Sequence, residues 1–259
     1  MKKFSSLLIV LLFALASFTA SAQNYSRGDV SQDGQVNITD VTVLINYLLN
    51  GTWPDEPVSP GDREYVDLGL PSGTLWATCN IGADSPEDYG DYFAWGETEP
   101  KDYYDWSTYK WCNGTSTTIT KYCYNSSYGD NGFTDGKTEL DPEDDAAYVY
   151  WGPSWRMPTR AQQNELRDNC TWTWTTLNGV NGYLVTGSNG NSIFLPAAGD
   201  LMQESNDLEG SHGLYWSRTL YTSYSYCAYD VSFSSVNVYC RTAARFCGFT
   251  VRAVRVSQE

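Results

Sequence analysis

Between residues 64 and 256 the chain repeats one pattern: a short run rich in aromatic and β-branched residues, then a break of Gly, Asn, Asp or Pro. The runs read EYVDLGL, GTLWATCNI, YFAWGE, TWTWTTL, GYLVTG, NSIFLPAAG, GLYWSRTL, CAYDVSFS, VNVYCR and GFTVRAVRV. Runs this short, with this content, suit pleated strands better than helices, and the even spacing toward the C-terminus predicts an antiparallel meander there. Asn189-Gly190 predicts a hairpin turn between GYLVTG and NSIFL, because both residue types tolerate positive φ. Apolar side chains are ample. The chain of 259 residues is 41% hydrophobic with 10 Trp and 20 Tyr, enough for one sizeable packed domain and a small appendage. Trp76, Trp95, Trp155 and Trp216 read as core.

Two segments carry helix signals instead. Asp141-Pro142-Glu143-Asp144 supplies a cap, a proline at the first helical position and acids in the first turn, predicting a helix through about Tyr150. Thr159 and Gln162 have the spacing of a capping box and predict a second helix from Arg160 to Asn169. Two helices among many strands predict an α+β class.

The N-terminal part is organised differently. Residues 1–22 hold two lysines, an apolar run from Leu7 to Phe18 and small residues at Ala20 and Ala22, the pattern of a secretory signal peptide cut after Ala22. The apolar run is too short to span a bilayer, so no membrane span is expected. Residues 51–61, GTWPDEPVSPG, predict an extended proline-rich linker that separates residues 23–50 from a main domain at 62–259. Export would place the seven cysteines where disulfides are permitted; an odd number leaves at least one thiol unpaired.

Counting Asp29 as the first position, Ser31, Asp33, Asn37 and Asp40 fall at positions 3, 5, 9 and 12, with Gly34 at 6 and the Gln35 carbonyl at 7. This is the oxygen-ligand spacing of a Ca²⁺ loop, in which the glycine allows the sharp turn that aims the oxygens inward. Val41, Leu44, Ile45 and Leu48 then make one apolar helical stripe ended by Gly51. Residues 23–50 thus resemble one half of a dockerin, the calcium-dependent module that docks onto cohesins. The resemblance implies Ca²⁺ as cofactor and a cohesin-like domain as partner. Dockerins of that type carry two repeats, and the acidic stretch from Asp130 to Asp141 lacks the spacing of a second.

The segments SGTLWATCNIGA, YFAWGET, SWRMPT, IFLPAAG, LYWS and GFTVRAVR together resemble the Fibrobacter succinogenes major paralogous domain family, secreted proteins of gut and rumen bacteria, over about residues 62–256. The resemblance implies a C-type lectin-like fold of short antiparallel strands with two helices. The EPN, QPD and WND tripeptides through which such lectins hold sugar by calcium do not occur in this chain.

Function is narrowed by charge first. With 31 acidic and 16 basic residues the net charge is -15, which disfavours a nucleic-acid partner. A single histidine, His212, leaves one candidate base for a triad and no multi-histidine zinc site. The stretch from Thr219 to Cys240 is rich in Tyr, Ser and Asn, a mixture that pairs rigid contact area with adaptable hydrogen bonding. Tyr221, Tyr224, Tyr226 and Tyr229 are therefore the candidate ligand-binding residues, and Trp172 and Trp174 share one strand face as further stacking candidates. The expectation is a secreted, non-catalytic binding or adhesion protein, periplasmic or at the cell surface, that recognises an extracellular glycan or protein. Two alternatives are an enzyme and a structural surface component. As an enzyme it would either use Cys240 and Cys247 in the manner of formylglycine-generating enzymes, or pair carboxylates from Glu97, Glu99, Asp144 and Asp145 as glycosidases do.

Overall fold

A computed structural model describes residues 63–255. The predicted signal peptide, calcium loop, following helix and linker lie outside the described residues. The chain divides into two units, and the second, Arg63–Glu259, holds everything described below.

Ten strands form three antiparallel sheets. β1 (Tyr65–Asp67), β2 (Leu75–Ala77), β3 (Trp155–Arg156) and β10 (Val254–Arg255) pair in the order β1-β2-β10-β3, with Val254 opposite both Trp76 and Arg156. This sheet ties the two ends of the unit together. The second sheet is a meander of β4 (Thr171–Leu177), β5 (Val180–Thr186) and β6 (Ser192–Pro196), and the third a meander of β7 (His212–Leu220), β8 (Cys227–Ser234) and β9 (Asn237–Ala244).

The second sheet follows from alternation. In TWTWTTL, Trp172 and Trp174 turn inward onto Tyr183 and Phe233, with ring centroids 5.2–6.4 Å apart, while Thr171 and Thr173 face out. Both tryptophans are thus packing residues rather than an open stacking platform. Asn178 and Gly179, at φ 48° and 91°, close the two-residue β4–β5 hairpin. The expected turn at Asn189-Gly190 lies in the Gly187–Asn191 connection between β5 and β6.

Helix α2 (Arg160–Asn169) begins where its capping box predicts: Gln162 N donates to Thr159 Oγ1 at 3.1 Å, and Thr159 N donates to Gln162 Oε1 at 2.9 Å. The other predicted helix is broken. Pro142–Asp144 makes one 3₁₀ turn, Asp145 is extended, and α1 covers only Ala146–Trp151. The break arises because the Asp145 carboxylate caps α1 through Tyr148 N at 3.2 Å and also accepts Met157 N at 3.0 Å, which demands non-helical backbone at Asp145. Among the described residues only α2 exceeds seven residues. The expected α+β class, with a C-type lectin-like pair of helices, is therefore corrected to a mostly β architecture.

Two clusters make up most of the core. One gathers Trp95, Trp151, Trp155, Trp216 and Phe249, with Trp216 stacked on Phe249 at 4.2 Å. The other lies among the second sheet, the third sheet and α2, and holds Leu166, Tyr183, Val185, Leu195, Val231 and Phe233. Trp76, Trp95, Trp155 and Trp216 are all at most 2% exposed, in keeping with their reading as core. All seven cysteines are free thiols.

Candidate functional site

The connection between β7 and β8 carries Tyr221, Tyr224 and Tyr226, and Tyr229 follows on β8. Tyr221 N donates to Cys227 O at 3.1 Å and Cys227 N to Tyr224 O at 2.8 Å, so the segment folds back on itself as a compact loop. Tyr221 lies 5.6 Å from Tyr224 and 5.3 Å from Tyr229, and Tyr224 lies 5.8 Å from Tyr226. The structure brings all four together. Tyr224 is the most open of them, 47% exposed.

The cluster continues onto residues that sequence reasoning missed. Tyr128 packs edge-on against Tyr224 at 6.0 Å and Tyr226 at 5.0 Å, and Trp106 packs against Tyr226 at 6.4 Å. Tyr124, 54% exposed, belongs to the same loop as Tyr128. That loop, YCYNSSYGD, has the Tyr, Ser and Asn content of the Tyr221 segment, and this shared composition was the available signal.

Two buried residues join these loops. The Ser225 hydroxyl accepts the backbone N–H groups of Tyr124 and Asn125, both at 3.0 Å. Arg245, immediately after β9 and fully buried, donates to the Tyr122 carbonyl at 3.1 Å, the Ser225 carbonyl at 2.9 Å, the Lys121 carbonyl at 3.0 Å and the Tyr109 hydroxyl at 2.8 Å. Its charge rests over the Trp95 and Tyr109 rings, at 4.8 and 5.1 Å, rather than against a carboxylate. These bonds reach backbone carbonyls of both loops, so Arg245 holds the two loops in one arrangement.

The predicted loop of calcium ligands falls in the other unit. Residues 27–68 match the dockerin type I domain. No curated protein and no solved structure matches the chain. The dockerin match runs past Asp62 to Leu68 and takes in β1, whose Tyr65, Val66 and Asp67 pair with Ala77, Trp76 and Leu75 of β2. The end of the dockerin match is thus a strand of the β-rich unit. Asp29, Ser31, Asp33, Gln35, Asn37 and Asp40 all lie within the dockerin match and outside the described residues. As donors they are three carboxylates, a hydroxyl, an amide and a carbonyl, all hard oxygens suited to Ca²⁺.

Of the side chains named for the enzyme alternative, Glu97, Asp144 and Asp145 hold other groups. Glu97, 8% exposed, accepts Lys101 Nζ at 3.0 Å and Lys110 N at 2.8 Å. Asp144, 3% exposed, accepts Lys121 Nζ and the Tyr122 hydroxyl, both at 2.5 Å. Asp145 is the cap of α1, and burial pushes its carboxyl up to about 6. Glu99 is exposed. Cys240 lies on β9, and burial pushes the Cys247 thiol up to about 12. Among the described residues no three His, Cys, Asp or Glu side chains stand together as a metal-binding group. His212 opens β7 with its Nδ1 3.0 Å from Ser211 Oγ. Among the described residues no helix is long and apolar enough to cross a membrane.

Proposed function

We propose that this is an exported, non-catalytic binding protein that takes an extracellular glycan on the tyrosine surface between β7 and β8. One observation carries the reading: Tyr221, Tyr224, Tyr226 and Tyr229, close in sequence, join Tyr128 from a distant loop in one partly exposed cluster. Tyr224, the most open ring, offers a face to an apolar sugar surface, and the tyrosine hydroxyls suit the sugar's own hydroxyls. The rings meet at 47–69° rather than lying coplanar, which favours a single chain threading over them above a flat crystalline surface.

The dockerin-like repeat supplies the second part of the proposal. Asp29, Ser31, Asp33, Gln35, Asn37 and Asp40 hold a structural Ca²⁺ that ties the loop to the residues following it. Asp40 stands where the bidentate Glu is usual and Ser31 is neutral, so affinity belongs to the weak extracellular range, roughly 10⁻⁵ to 10⁻³ M. Dockerins dock onto cohesins, and one repeat presents a reduced version of that surface to a cohesin-like domain at the cell exterior.

The test is binding by the full chain with Tyr221, Tyr224 and Tyr226 all replaced by alanine. Loss of glycan retention with an unchanged melting temperature supports the reading. Undiminished retention, or binding of a protein partner alone, overturns it.

A further inference from the structure

We infer that the glycan taken by this surface is acidic and that Arg160 pairs with the carboxylate of one of its uronic acid residues. The inference rests on the glycan reading above and names the ligand's chemistry.

Arg160 opens α2 directly after the cap. Its backbone N–H donates to Thr219 Oγ1 at 3.1 Å, which pins the first turn to the end of β7, just before Tyr221. Its exposed guanidinium sits over the Tyr229 ring, 3.9 Å from the centroid, and Tyr229 in turn contacts Tyr221 at 5.3 Å. A cation held on a ring face keeps its in-plane N–H donors for something else. Several other arginines of the unit are occupied: Arg167, Arg218 and Arg241 by Asp168, Glu139 and Asp230, and Arg156, Arg245 and Arg252 by backbone carbonyls. Among the described residues the Arg160 guanidinium meets no carboxylate and no hydrogen-bond acceptor.

The first turn of α2 adds the positive end of a ten-residue helix to the same spot. At the far end of the cluster the charge reverses: Asp105 precedes Trp106, and Asp130 follows Tyr128 by two residues, accepting from Asn113 and Asn131. The footprint for an acid is therefore Arg160, Tyr229, Tyr221 and Tyr224. A uronic acid fits it because one residue carries both an apolar ring face for a tyrosine and a planar carboxylate for the guanidinium fork. Its single charge matches a single arginine.

The experiment measures binding of galacturonic acid trimers and of their methyl esters to the full chain at low salt. The esters keep the sugar faces and lack the charge. The wild type is expected to bind the acid at least tenfold more tightly than the ester. Arg160→Gln should reduce acid binding to the ester's level, Arg160→Lys should fall between, and Tyr224→Ala should weaken both. Because Arg160 is exposed and the cap is Thr159, an unchanged near-UV spectrum verifies folding. Equal binding of acid and ester, with both lost in Tyr224→Ala, overturns the role of Arg160 and leaves the glycan surface standing. Acid binding unaffected by Arg160→Gln does the same. Failure of the wild type to bind either form overturns this inference, and failure across neutral glycans as well overturns the reading beneath it.

Discussion

The side-chain oxygen of Ser225 accepts the backbone N–H of Tyr124 at 3.0 Å although the two residues are 101 positions apart. A second amide, from Asn125, shares the same acceptor at 3.0 Å, and Ser225 itself is fully buried. Ser225→Ala leaves two amides without this partner, and the expected cost is about 1–3 kcal/mol. Urea denaturation checks the stability loss, and weaker ligand binding in the folded variant checks that the joint positions the tyrosines.

Arg245→Met is expected to cost more. Its removal strands acceptors on Tyr109, Lys121, Tyr122 and Ser225, and methionine fills the volume without donating to any of them. A loss on the order of 3–5 kcal/mol follows from several buried neutral acceptors left without donors together. Arg245→Lys keeps the charge with fewer, differently aimed donors and should fall between, as read by the denaturation midpoint.

Stability of the β-rich unit is expected to fall as pH rises from about 4 to 7. Burial pushes the Asp230 carboxyl up to about 7: the side chain is fully enclosed, its Oδ1 has no partner among the described residues, and Arg241, half exposed, reaches only Oδ2 at 3.5 Å. Asp145 is raised to about 6, again by burial. A raised carboxyl keeps its proton in the folded state after the unfolded chain has lost it. The favourable contribution is therefore complete below the ordinary carboxylate range and is lost as pH rises through the folded value. Melting temperatures across this range should slope downward, and Asp230→Asn should flatten the part nearest neutrality. A slope unchanged in that variant would remove Asp230 as its source.

Calcium is expected to act on the dockerin-like repeat. At 100 times its dissociation constant the ion stabilises that unit by about 2.7 kcal/mol. Titration calorimetry should register one site in the wild type and none in Asp33→Ala, which removes a carboxylate from the middle of the loop.

Much of this was legible because it is local. The α2 capping box spans four residues, the strand runs alternate within themselves, and the NG turn needs only its own backbone. The shared face of Trp172 and Trp174 and the fully buried Trp95 and Trp216 followed from the same patterns, but the β4 face packs onto Tyr183 and Phe233 where stacking on a ligand was expected. The break at Asp145 was not legible, because its carboxylate answers to Met157, 12 residues further on. That break is why the expected α+β class came out as mostly β. YFAWGE reads as a strand, yet it makes only an isolated bridge: Phe93 pairs with Phe249 and Trp95 N donates to Arg245 O. The tyrosine segment declared itself by composition. The Tyr128 loop carries the same composition, but its meeting with that segment was not legible, since the joints at Ser225 and Arg245 have no sequence period.

Binding of a glycan panel by the full chain, with and without a calcium chelator, tests the central claim most directly. Among the described residues no three His, Cys, Asp or Glu side chains form a metal-binding group, so binding through the tyrosines should persist in chelator and vanish when Tyr221, Tyr224 and Tyr226 become alanine. Binding that chelator abolishes, or that survives the loss of those three rings, would contradict it.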